Sequence, residues 1–213
     1  MKGTKETAAI ARIWIRVSTG SKMSSIEQIL NFWFGNPESA SYGKSRKVWF
    51  SKDPNFDQDI RDRFLPDYEA AAAGNYNGWT ASPDGCLALI LLFDQFPRQL
   101  FRGDRRAFAT DAQALVTAQH AIAQDFDQAL LPVQRVFIYL PFEHSENLEH
   151  QRLSVELFRQ LSDHPETADM LPYAVRHQEI IERFGRFPHR NQILGRPTTA
   201  EEAEFLKQPG SSF

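Results

Sequence analysis

The sequence predicts an all-α protein of stacked antiparallel helical hairpins, and three observations carry that prediction. Helix signals recur from residue 23 to the end, while the alternating pattern of strands is missing. Helices open on cap-plus-proline pairs and close on glycines. The connections are short, which makes sequential helices antiparallel neighbours.

IEQILNFWF places Ile26, Ile29, Leu30, Trp33 and Phe34 on one side of a helix that Gly35-Asn36-Pro37 stops, with Ser24 and Glu27 as an expected capping box. Asp53-Pro54 opens NFDQDIRDRFLPDYEAAAAG, in which Pro66 is expected to kink or split the helix and Gly74 to end it. Ser82-Pro83 opens DGCLALILLFDQF, apolar nearly all round and so the most buried helix. Thr110 caps DAQALVTAQHAIAQ, and Pro132 opens VQRVFIYL, with Pro141 expected between two helices. A helix from about Glu146 to Leu161 carries Leu148, Leu153, Val155, Leu157 and Phe158, and another runs from about Thr167 to Phe184. Thr199 with Glu202 caps the last, AEEAEFLK, before the tail PGSSF. No helical repeat recurs at a fixed spacing.

Residues 1–22 differ in character. Their lysines and arginines face only Glu6, and AAIARIWIRV is helical rather than signal-like because arginines interrupt its apolar part. They are read as an N-terminal extension from an upstream start, with a membrane-surface or targeting helix as the alternative, and residues 23–213 as a single helical domain. Of 213 residues, 42% are hydrophobic, enough for a sizeable core, and the net charge of −3 argues against a nucleic-acid partner. No apolar run approaches the roughly 20 residues of a membrane span. The single cysteine, Cys86, sits in CLALILLF and reads as a small buried hydrophobe of a reducing compartment, so a cytoplasmic, soluble protein is expected. Oligomeric state leaves no signal.

Three polar stretches at helix ends break the amphipathic logic. In DQFPRQLFRGDRR, Asp94 opposes the dipole at the end of the greasiest helix, with Arg98 as its compensating partner and Pro97 as the stop. In YLPFEHSENLEH, Ser145 reads as an N-cap and Glu146 as a first-turn acid that pairs with His150, while Glu143 and His144 have no local task. In GRFPHRN, Gly185 ends a helix and Arg183 and Arg186 suit its C-terminus, leaving His189, Arg190 and Asn191 over; His177 lies two turns upstream on the same helix. Neither a metal-ligand spacing nor a glycine-rich phosphate loop is present, so no metal and no cofactor are expected.

At these same stretches the chain resembles a known family, the bacterial proteins grouped as domain of unknown function 924. The resemblance runs from about Ile26 to Phe213 and rests on LNFWFG, LALILLFDQFPRQLFRG with AFATD, FIYLPFEHSENLEHQRLSVELF, RFGRFPHRNQILGR and PGSSF. Gln99 stands where the family usually has asparagine. The resemblance implies a tetratricopeptide-like helical superhelix and no established catalytic residues.

Two functional readings follow. In the first, Asp94, Arg98, Glu143, His144, His177, Arg186, His189, Arg190 and Asn191 converge on one polar pocket walled by Tyr139, Phe142 and Phe187. Arginines would bind a small anionic metabolite, and His144, His189 or Glu143 would act as acid or base. Whether the protein is an enzyme, and of which reaction, the sequence leaves open. In the second, the protein is an interaction module for a peptide or partner protein, and the polar stretches are structural staples. A further expectation places the carboxylate of the PGSSF tail on an arginine of the site.

Overall fold

The computed structural model describes residues 23–212; the extension read at 1–22, and Phe213 at the tip of the tail, lie outside them. The described residues form helices α1 (Ile26–Phe34), α2 (Pro54–Ala72), α3 (Pro83–Ile90), α4 (Phe96–Leu100), α5 (Asp111–Ala123), α6 (Pro132–Glu143), α7 (Leu148–Arg159), α8 (Met170–Phe184), α9 (Asn191–Leu194) and α10 (Ala200–Phe205), with 3-10 turns between several of them and no strand. The start signals hold at Asp53-Pro54, Ser82-Pro83 and Thr199, where side-chain oxygens accept the free N–H groups of the first turn. At α1 the capping box forms one residue later than expected, between Ser25 and Gln28. Gly185 ends α8 in the left-handed region at φ +66°.

Prolines behave differently from the expectation. α2 runs unbroken through Pro66, and α6 continues through Pro141 to Glu143. Pro97 does not stop the buried helix either, because between α3 and α4 the chain makes one π-helical turn, Leu91–Gln95, so Pro83–Leu100 is continuous. A proline removes the donor for the carbonyl four residues back. For Pro97 that carbonyl belongs to Phe93, and the Thr110 hydroxyl donates to it at 2.6 Å. The Thr110 hydroxyl is therefore taken by the π-helical turn, and Thr110 stands at the N-cap position of α5 without a side-chain cap bond.

α1 packs on α3, α2 on α4 and α3 on α5, while α6, α7 and α8 stack in sequence. The main core joins α1 to α7 around Trp33, Phe64, Phe96, Phe137 and Phe158, with every residue of Gly85–Ile90 buried. The burial expected of the greasiest helix is thus found, and Cys86, fully buried, has its thiol pushed up to about 11 by that burial. Leu153, expected among the apolar residues of α7, is exposed. A smaller apolar group, Ile180, Ile181, Phe187 and Phe205, joins α8, the turn after it and α10. Among the described residues no helix is long and apolar enough to cross a membrane.

Candidate functional site

Between the two apolar groups lies a seam of buried charge. Asp94 sits in the π-helical turn, fully buried, rather than at a helix end. Its Oδ1 accepts from Arg98 Nη2 at 3.0 Å and from His144 Nδ1 at 2.7 Å, and its Oδ2 accepts from Gln95 Nε2 at 2.6 Å. Burial alone would raise its pKa, but His144 and Arg98 outweigh it and hold the carboxyl below the usual range, so Asp94 is ionised.

His144 is placed by the end of α6. Its N–H closes that helix on Leu140 O, and Gln151 of α7 donates its side-chain N–H groups to the carbonyls of Glu143 and Ser145, at 2.6 and 2.7 Å. These bonds satisfy helix-end carbonyls that would otherwise be buried bare, and they fix the turn carrying the imidazole. With an ionised carboxylate on Nδ1, that nitrogen bears the proton and Nε2 carries the lone pair. The side chain is 15% exposed, and Nε2 has no hydrogen-bond partner among the described residues. Burial first, then Arg98, lowers the His144 pKa against the pull of Asp94, which leaves the ring neutral at pH 7.

Arg98 reaches on to Asp111 at 3.2 Å and to the carbonyl of Ala107 at 3.1 Å. Asp111 also faces Arg190 Nη1 at 3.6 Å, so a single carboxylate serves two guanidinium groups. Both arginines lie over the ring of Phe108, and Arg190 also lies over Phe187. Behind them His177 Nδ1 is 2.8 Å from Tyr173 O and 3.3 Å from Glu143 Oε1. Burial lowers the His177 pKa to about 3 and the His189 pKa to about 4, with Arg190 adding to both shifts. Glu143 is raised to about 8, by burial and then by Asp94, and is a neutral acid at pH 7.

That shift fixes a sign. Glu143 binds its proton more tightly folded than unfolded, so folding takes up a proton and stability falls as pH rises from the usual glutamate range to about 8. Denaturation of Glu143→Gln across pH 5 to 9 is expected to lose this slope, up to about 1.4 kcal/mol per pH unit. An unchanged pH dependence would show that Glu143 is ionised in the native protein.

The structure thus brings together Asp94, Arg98, Glu143, His144, His177 and Arg190, with His189 beside them on the turn after α8. It turns Arg186 and Asn191 to other work. Arg186 is held by both Glu202 oxygens and by Pro197 O, and Asn191 bonds Arg196 and Thr198. Glu146 is not a first-turn acid paired with His150: Asn147 is the N-cap of α7, and His150 bonds Ser145 Oγ. Glu146 instead takes Arg196 in a bidentate pair, at 2.6 and 2.9 Å, and the N–H of Phe187, fastening the GRFPHRN turn to the α6–α7 connection. Tyr139 gives its hydroxyl to Asp127 at 2.6 Å. Asp111, Phe108 and Gln95 were missed in the sequence. Asp111 reads there only as part of the helix that Thr110 caps and Gln95 as part of an apolar helix; no short-range signal marks the partners of Asp111, 13 and 79 residues away, and that of Gln95 is its neighbour Asp94.

Two surface clefts lie elsewhere. One, of about 450 Å³, is lined by Asp57, Arg61, Gln99, Arg102 and Arg106 among others; the second, of about 570 Å³, lies on α8 around Leu171, Tyr173 and Val175. Among the described residues no group of three or more histidine, cysteine or acidic side chains is arranged to hold a metal. Arg176 ties the described part of the tail to α8 through the carbonyls of Pro209 and Gly210.

The model of a family described as bacterial protein of unknown function, DUF924, matches residues 29–210. The solved structure of a protein of unknown function from Agrobacterium tumefaciens is 41% identical over 85% of this chain and 96% of that one, with a TM-score of 0.75. No curated protein matches.

Proposed function

For a chain that belongs to the DUF924 family of bacterial proteins of unknown function, we propose that the buried seam is a site for a small anionic molecule on which His144 transfers a proton. The observation that carries this reading is the Asp94–His144 pair. A carboxylate on Nδ1 fixes the tautomer and leaves a bare Nε2 at the partly exposed edge of the ring, the arrangement a general base requires. Arg98 and Arg190 supply the positive charge beside it.

His144→Gln separates this reading from a purely structural one. Asp94 keeps Arg98 and Gln95 when the imidazole is gone, so the variant is expected to remain folded, within about 1 kcal/mol of the wild type. Wild type and variant are each incubated with a bacterial metabolite extract, followed by mass spectrometry. An anionic metabolite turned over by the wild type and spared by the variant is the expected result. A variant that melts far lower, with a metabolite profile identical to that of the wild type, would make His144 a staple.

An interaction module is the second reading, and one observation favours it. Tyr173 and Val175, 56% and 37% exposed, line the apolar cleft on α8 and offer a peptide side chains a place to insert.

A further inference from the structure

We propose that the anion taken by this site is a carboxylate, bound in plane along the Nε edge of Arg190. The inference rests on the reading of the seam as an anion site and goes beyond it by naming the group bound. Arg190 is an unusual arginine in this protein. Its side chain is 8% exposed, and its guanidinium lies over the rings of Phe187 and Phe108, 4.5 and 4.8 Å from their centroids. Two aromatic rings thus line it, and its N–H donors point along its edges.

One edge is taken, loosely, by Asp111 at 3.6 Å from Nη1, an acid that already bonds Arg98 at 3.2 Å. Nε is different: it is fully buried and has no hydrogen-bond partner. A buried N–H of a charged group is costly to leave unpaired, and neighbouring side chains normally satisfy it. Several arginines of this protein do so: Arg102 gives Nε to Asp57, Arg186 to Glu202 and Arg196 to Asn191.

The geometry of the donors selects the ligand. Nε and one terminal nitrogen of a guanidinium donate in parallel, matching the two oxygens of a carboxylate lying in the same plane. A phosphate or sulfate is tetrahedral and would direct oxygens out of that plane, toward the rings. Charge agrees with shape. Burial and then Arg98 lower the Arg190 pKa to about 10, so Asp111 and Glu146 leave its cation under-compensated. His144 and His189 are both only partly covered, and both lie within electrostatic reach of the Arg98–Asp111–Arg190 group. A carboxylate on Arg190 would thus sit near the His144 base and give it an organic acid to act on.

The experiment observes arginine Nε–H resonances of the full-length ¹⁵N-labelled protein during titration with acetate, benzoate, inorganic phosphate and sulfate at constant ionic strength. Saturable movement of one resonance with the carboxylates is expected, at least tenfold tighter than with phosphate or sulfate, and that resonance should be missing from Arg190→Lys. Phosphate or sulfate binding as tightly would keep an anion site and overturn the carboxylate assignment. A carboxylate-responsive resonance that persists in Arg190→Lys would move the site elsewhere. No saturable movement with any of the four would overturn both this inference and the anion reading. Should Arg190→Lys fail to fold, Phe108→Leu, which removes one of the two rings, takes its place and is expected to weaken the carboxylate preference; an unchanged preference would sink the proposal.

Discussion

Replacing Asp94 by alanine is expected to destabilise the protein by about 3–5 kcal/mol, the range for removing one partner of a buried ion pair. The carboxylate serves Arg98, His144 and Gln95 together, and without it the guanidinium keeps only Asp111 and the carbonyl of Ala107. Most of the loss comes from what is left behind: a cation in the interior with half its compensation, and an imidazole N–H facing apolar surroundings. Asp94→Asn keeps the shape and one acceptor oxygen, so its loss should be smaller, about 1–3 kcal/mol. The sign with pH follows from the depressed carboxyl. Its contribution is complete above the unfolded aspartate range near 4 and fades as pH falls through the lower folded value. The gap between wild type and Asp94→Asn in chemical denaturation should therefore close on acidification below pH about 4. A gap constant down to pH 2 would show that the carboxyl of Asp94 is not depressed in the native state.

Trp33→Ala is the second large effect, about 3–5 kcal/mol, or roughly 6–20 °C in Tm for a protein of this size. Trp33 is fully buried and its ring meets those of Phe56, Phe96 and Phe137 at 5.5 to 5.6 Å, and that of Trp49 at 6.3 Å. These neighbours come from α2, α4, α6 and the turn before α2, so no single element can move in to fill the cavity without dragging the rest. Phe96 follows the π-helical turn directly, which ties the cavity to the setting of Asp94. A loss below about 1 kcal/mol would mean that the aromatic cluster repacks freely.

The helical fold was legible because its signals are local. A cap and a proline lie side by side at Asp53-Pro54 and Ser82-Pro83, and a glycine stands where α8 must stop. Prolines inside helices were misread for the same reason: whether Pro97 or Pro141 ends a helix depends on what else satisfies the carbonyl behind it. For Pro97 that is Thr110, thirteen residues on. The seam was half legible. Glu143 and His144 stood out because local chemistry had no use for them, and the structure places both in it. Asp111 and the Glu146–Arg196 pair did not stand out, since Glu146 already had a local explanation and the partners lie 13 to 79 residues away. Arg186 reads both as a cation suited to the end of α8 and as an arginine of the pocket, and its guanidinium is held by Glu202.

The π-helical turn carries a consequence for how such a seam can arise and be lost. An α-helix advances about 100° per residue, so one residue accommodated as a bulge turns everything after it by more than a quarter of a circle. Leu87 to Ile90 and Phe96 to Leu100 therefore belong to two rotational frames within one rod. π-bulges of this kind are frequent at functional sites. Loss of a single codon among Leu91, Leu92 and Phe93 would merge the frames, leave every charged side chain of the seam chemically intact and swing Arg98 away from Asp111. In heredity the site is therefore an insertion as much as a set of residues.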